Sequence, residues 1–313
     1  MTDRGPSCGR RQPPRGRLPG TRARAWAAAA LLLAPLLPPP LHGSASPPPA
    51  GAAPSAEDPN REELERNLQT ARWMAVYDRV AWGTTDLLVK EPRETLAKVG
   101  PVWFCIEKGG SWYAVYGSFL SNAFQIALCY RQASKDGFEK VKPPDFPDKD
   151  PFARAISLTL PEIQDTTRRT TVRFNYYVRR EQDGIAIYYL PAFQTDGKLA
   201  FGIQHTFVVD AAGEKLVSHE RHGHILVGAI PNKERTLTFE MADCVVPTPQ
   251  AVFAMMSYRD AFADILTRCR DGYFGMAMRD GQLACVRAPA PAPDISSVVP
   301  GVSEPAILTH PRP

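Results

Sequence analysis

The sequence predicts an α+β fold: a large, mainly antiparallel sheet laid down as a meander of hairpins, with helices at the N-terminus of the folded part, in its middle and near its C-terminus. Three observations carry this expectation. Apolar and polar residues alternate at period two over much of 102–131 and 171–241. Glycine-containing pairs interrupt those runs at spacings suited to tight turns. Helical spacing with cap residues occurs in separate stretches between them. Side chains switch faces at every residue of a strand and return to one helix face every three or four, so the two periods separate the two kinds of element.

Residues 1–45 read as a signal peptide. Seven arginines precede a thirteen-residue apolar run, Ala25 to Leu37, which is followed by prolines and Gly43-Ser44-Ala45. That order fits an export leader, and the run is too short to cross a hydrocarbon core of about 30 Å as a helix. The expectation is therefore a secreted or periplasmic mature chain with no transmembrane segment; an uncleaved anchor and an organelle transit peptide stay open. Residues 46–60 form a Pro/Ala-rich linker, 61–287 a single α+β domain with a weak point near 140–151, and 288–313 a Pro/Ala-rich tail expected to be disordered.

Within the domain, Asp58-Pro59 introduces a helix from Arg61 to about Trp82, with Leu64, Leu68, Ala71 and Ala75 on one face. A short helix near Arg93 to Val99 follows. Val102, Phe104 and Ile106 then alternate as a strand, Gly109-Gly110 turns the chain, and Trp112 to Tyr116 and Phe124 to Arg131 continue the sheet. Asp150-Pro151 starts a helix of two or three turns. Strands at about 171–181, 185–193, 198–209 and 215–228 are separated by Asp183-Gly184, Asp196-Gly197 and Ala212-Gly213, where glycine tolerates the positive φ that tight turns need. Thr236 to Met241 adds a fifth strand. Thr248-Pro249 caps a helix expected to run to about Cys269, and Arg279-Asp280-Gly281-Gln282 closes a last hairpin.

The net charge of +4 suggests nucleic acid only superficially. Seven of the 37 basic residues but one of the 33 acidic ones fall in residues 1–45, so the remainder is slightly acidic. A near-neutral body lacks the basic footprint of a phosphate-binding surface, and no nucleic-acid partner is expected; the partner is otherwise open, to a small molecule or a protein. Five cysteines follow the leader. In an oxidising compartment Cys105 with Cys129, and Cys269 with Cys285, are the disulfide candidates, against free thiols buried as small apolar residues.

Four of the six histidines, His205, His219, His222 and His224, lie within twenty residues. A two- or four-residue turn over Ala212-Gly213 places His205 opposite Glu220, and then Glu220, His222 and His224 share its face. Facing Cβ atoms in a sheet are about 5 Å apart and diagonal ones about 7–8 Å, close enough for imidazoles to meet at one ion. His205, His222 and His224 are thus candidate ligands for zinc, with Glu220 as a ligand or general base. A three-residue turn would reverse the faces, pairing His219 with His205. The metal-free reading leads: Glu220, His222 and His224 lie on a solvated face, with His205 hydrogen-bonded at its edge. His222-x-His224 resembles the opening of the JAMM metalloprotease pattern, but Asn232 and Arg235 replace its serine and aspartate, so no family is assigned. No nucleophile elbow, zincin helix, phosphate loop or dinucleotide fingerprint is present. The functional expectation is an exported soluble protein with a non-catalytic binding or envelope-associated role; the alternative is a zinc-dependent hydrolase.

Overall fold

A computed structural model describes residues 60–291 except 195, 196 and 280. The expected leader, nearly all of the linker and most of the tail lie outside these residues. The fold is α+β, with mostly antiparallel sheets. No described helix is long and apolar enough to cross a membrane.

Helix α1 (Arg61–Leu88) buries Leu68, Ala71, Met74, Tyr77, Val80 and Leu88 along one stripe. It lacks a side-chain cap, so packing holds it. Burying one large apolar side chain contributes about 1.5–3 kcal/mol, against roughly 1 kcal/mol for a good cap. A single turn, α2 (Arg93–Leu96), leads into the meander β1 (Val102–Lys108), β2 (Ser111–Leu120), β3 (Ala123–Gln132) and β4 (Phe138–Lys140). Gly109 and Gly110, both at positive φ, form its first turn, as expected.

Helix α3 (Lys149–Thr170) is about twice as long as the sequence suggested. Pro161 sits inside it and removes one ladder bond. The carbonyl left over belongs to Ser157, on the exposed side of the helix, where water can serve it. A second meander follows: β5 (Phe174–Glu181), β6 (Gly184–Pro191), β8 (Gln204–Val209) and β9 (Leu216–His222) form one sheet, while β7 (Leu199–Phe201) pairs separately with β10 (Val227–Ala229). The expected single strands at 198–209 and 215–228 are therefore each broken. The breaks are Gly202 (φ 113°) and Gly223 (φ 71°), which lie against each other; a Cβ on Gly223 would meet Gly202 backbone at 3.1 Å.

The third sheet is β11 (Asn232–Met241), β12 (Phe262–Cys269), β13 (Gly272–Arg279) and β14 (Gln282–Ala288). Here the sequence reading of one helix from 248 to 269 fails. Helix α4 (Pro249–Tyr258) stops early, a 3₁₀ turn (Arg259–Ala261) follows, and Phe262–Cys269 is a strand parallel to β11. Parallel neighbours need a crossover, and α4 supplies it. Thr248 caps α4 by accepting the Ala251 N–H, and its hydroxyl also donates to Gln204 Oε1 at 2.5 Å.

The β6 centre of the β5-β6-β8-β9 sheet is covered on both faces, while β9 is largely exposed. Thr159 of α3 hydrogen-bonds Tyr189 at 2.9 Å on one side; on the other, Tyr177 donates to Asp78 of α1 at 2.7 Å and packs on Phe253 of α4. The edges of β1 and β5 join through Tyr176, whose hydroxyl donates to the Trp103 carbonyl (2.6 Å) and accepts its N–H (3.1 Å).

All five described cysteines are buried free thiols. Neither expected disulfide forms, and register explains why. Cys105 is opposite Ala114 on β2, whereas Cys129 is opposite Val115, so the two point to opposite faces with a strand between them. Cys269 pairs with Gly272 at one end of β13, whereas Cys285 pairs with Met276 four residues further along.

Candidate metal centre

The turn expected around Ala212-Gly213 is present. Asp210 N–H donates to the Lys215 carbonyl (2.9 Å), and the Asp210 carboxylate accepts the N–H groups of Glu214 (2.7 Å) and Lys215 (3.2 Å). Val209 pairs with Leu216, as a four-residue turn requires, but Val208 then pairs with Ser218. Val217 is an extra residue, a bulge, and it shifts everything beyond it by one position. His205 therefore lies opposite Arg221 rather than Glu220, and the expected common face of His205, Glu220, His222 and His224 does not exist.

The bulge sorts the histidines into two groups. His205 is fully buried; its Nδ1 is 3.0 Å from His219 Nε2, and both rings stack with Phe207. Its Nε2 has no hydrogen-bond partner among the described residues. Burial, then the neighbouring His219, pushes the His205 pKa down to about 3. The register puts the pair on the face of β8 and β9 opposite to His222.

His222 ends β9 on the other face. Gly223, at positive φ, turns the chain immediately after it and donates its N–H to Asp243 Oδ1 at 3.2 Å. Asp243 and Cys244 come from the loop that leaves β11 for α4, at the carboxyl ends of the parallel strands β11 and β12. That end of a crossover unit is where open α/β sheets place ligands. The loop is fixed by two backbone hydrogen bonds, Cys244 N–H to the Met241 carbonyl (2.9 Å) and Arg270 N–H to the Cys244 carbonyl (2.8 Å), and by one from the Arg270 guanidinium to the Asp243 carbonyl (3.2 Å).

Three functional groups meet on one imidazole. His222 Nε2 is 3.3 Å from Glu220 Oε2, while Nδ1 is 3.2 Å from Asp243 Oδ2 and 3.3 Å from Cys244 Sγ. The Nδ1, carboxylate and sulfur donors all lie within 4.8 Å of one another. Cys244 is buried, and the His222 and Asp243 side chains are 20% and 29% exposed, so the cluster opens to solvent on one side. Burial raises the Asp243 pKa, but the Gly223 N–H, its own N–H and His222 outweigh that and hold the carboxyl below its ordinary range. Burial, then the charge of Asp243, pushes the Cys244 thiol up to about 12.

Of the sequence candidates, His222 and Glu220 belong to this cluster, His205 does not, and His224 is exposed at a bend beyond Gly223. Asp243 and Cys244 were missed. Their signal was adjacency: a carboxylate and a thiol side by side just ahead of the capped helix at Thr248-Pro249. No protein-family model, curated protein or solved structure matches this chain.

Proposed function

We propose that this is an exported, non-catalytic metal-binding protein that holds one zinc or similar borderline divalent ion on His222, Asp243 and Cys244. One observation carries the reading: a carboxylate and a cysteine sulfur, both metal-ligand types, converge on a single ring nitrogen. When Nε2–H donates to Glu220, Nδ1 turns its lone pair towards the Asp243 carboxylate and the Cys244 sulfur, and a cation held by the three donors would take the place of the thiol proton. Nitrogen, oxygen and sulfur donors at about 2.0–2.3 Å around tetrahedral zinc stand roughly 3.3–3.6 Å from each other, close to the 3.2 and 3.3 Å separations here. A carboxylate behind a ligating imidazole is the usual outer support of such a ligand. Mixed N, O and S donors favour zinc over calcium or magnesium.

Export rests on the basic start, apolar run and small residues of 1–45; N-terminal sequencing of protein recovered from outside the cytoplasm tests it. The hydrolase reading draws on the ligand count, because three protein ligands leave a place for water. Against it, Glu220 lies behind the ring, not beside the ion position, and so is not placed as a general base.

Purified protein loaded with zinc and dialysed should retain one equivalent. His222→Ala and Cys244→Ala should lose it while keeping wild-type circular dichroism, and His205→Ala, if folded, should keep it. Metal well below one equivalent in the wild type, or loss on His205→Ala with retention in Cys244→Ala, overturns the assignment.

A further inference from the structure

The ligand cysteine has a second cysteine as a neighbour in the fold. Cys269 is directly opposite Met241 in the parallel β11–β12 register, and the next residue, Arg270, donates its N–H to the Cys244 carbonyl at 2.8 Å. That bond holds the backbone of Cys244, just beyond the end of β11, against the end of β12, one residue past Cys269. Hydrogen-bonded neighbouring backbones lie about 4.8 Å apart, in the range of roughly 4.4–6.8 Å between Cα atoms that a disulfide needs. The expected partner, Cys285, sits on the far side of β13, and the other two described cysteines belong to a different sheet. Of the two neighbours, Cys244 is nearer the solvent, 8% exposed against 4% for Cys269.

We infer that Cys244 is shared between the metal and a disulfide with Cys269, so that thiol oxidation and zinc occupancy at this site exclude each other. The inference rests on the metal reading above. A small-molecule disulfide such as oxidised glutathione completes the chemistry. The Cys244 sulfur attacks it and forms a mixed disulfide, releasing one reduced thiol. Cys269 then displaces the second. In the zinc-free protein two S–H bonds and one reagent S–S bond break, one protein S–S bond forms, and the two protons end on the released thiols; in the loaded protein the zinc–sulfur bond breaks in place of the Cys244 S–H, and the second proton comes from water. A bound zinc ion leaves to solvent, because the sulfur that held it is now bonded to sulfur. Cys269 is not a ligand and acts only as the resolving thiol.

The test treats purified protein, zinc-loaded and zinc-free, with oxidised glutathione and maps peptides without reduction, while a chromogenic chelator reads released zinc. The expected result is a Cys244–Cys269 link that forms faster in the zinc-free protein, with zinc released in step with linkage in the loaded one. Cys269→Ser should bind zinc like the wild type, form no internal link and stop at the mixed disulfide on Cys244. Stoichiometric zinc binding with no such link, or a link to another cysteine, overturns this inference and leaves the metal site standing. A Cys244–Cys269 link in a protein that never bound zinc overturns the metal reading and, with it, the exchange.

Discussion

His219 and His222 are three residues apart on β9, yet their rings meet opposite surroundings. His219 stacks on Phe207 at 4.0 Å between centroids and shares a hydrogen bond with the buried His205. His222 sits between Glu220 and Asp243 beside a thiol. Burial in an apolar setting disfavours imidazolium and lowers the pKa of both His205 and His219. An odd spacing along a strand sends two residues to opposite faces, so one strand serves the core with one histidine and a polar cluster with the other. The bulge at Val217 decides which is which.

That contrast gives predictions of decreasing size. The largest concerns acid. The folded-state pKa of His205, about 3, lies below the ordinary 6.5, so between those values the unfolded chain binds a proton that the folded chain does not. The stability from burying this ring neutral is complete above pH 6.5 and falls as pH drops towards 3, by on the order of 4 kcal/mol at the acid end. Urea melts across that range should show the slope, and His205→Phe should flatten it; an unchanged slope would place the acid sensitivity elsewhere.

Next comes the outer carboxylate. Glu220→Gln keeps a side chain near the ring but removes the charge that orients it, and zinc affinity in a competition titration should fall about 10- to 100-fold, with melting little changed because Glu220 is 65% exposed. Equal affinity would mean that Glu220 does not orient His222. The smallest effect belongs to the helix that carries the crossover. Thr248→Ala removes the α4 cap and the bond to Gln204 and should cost about 1 kcal/mol in a denaturant melt, without removing zinc.

The same comparison shows what could be read from the sequence. The alternation that defines the strands was legible, and so were the Gly109-Gly110 turn, the Thr248-Pro249 cap and the turn over Ala212-Gly213. A bulge leaves no comparable mark, since Val217 is as ordinary a strand residue as Leu216; with it unseen, a correct turn gave the wrong face for His205. Gly202 and Gly223 were visible, but their joint role in splitting two strands depends on their lying against each other in space. The longest-range error was at 262–269. Reading that segment as helix hid the parallel pairing with β11, and only this pairing brings Asp243 and Cys244 to His222 and Cys269 to Cys244. His222 and Glu220 could be found from local spacing; their partners come from a crossover that the helical reading erased.

X-ray absorption at the zinc edge of the loaded protein tests the central claim most directly. The account predicts one sulfur neighbour at about 2.3 Å with nitrogen and oxygen neighbours at about 2.0–2.2 Å, and loss of the sulfur shell in Cys244→Ser. A shell of nitrogen and oxygen alone in the wild type, or a sulfur shell that survives Cys244→Ser, would contradict it.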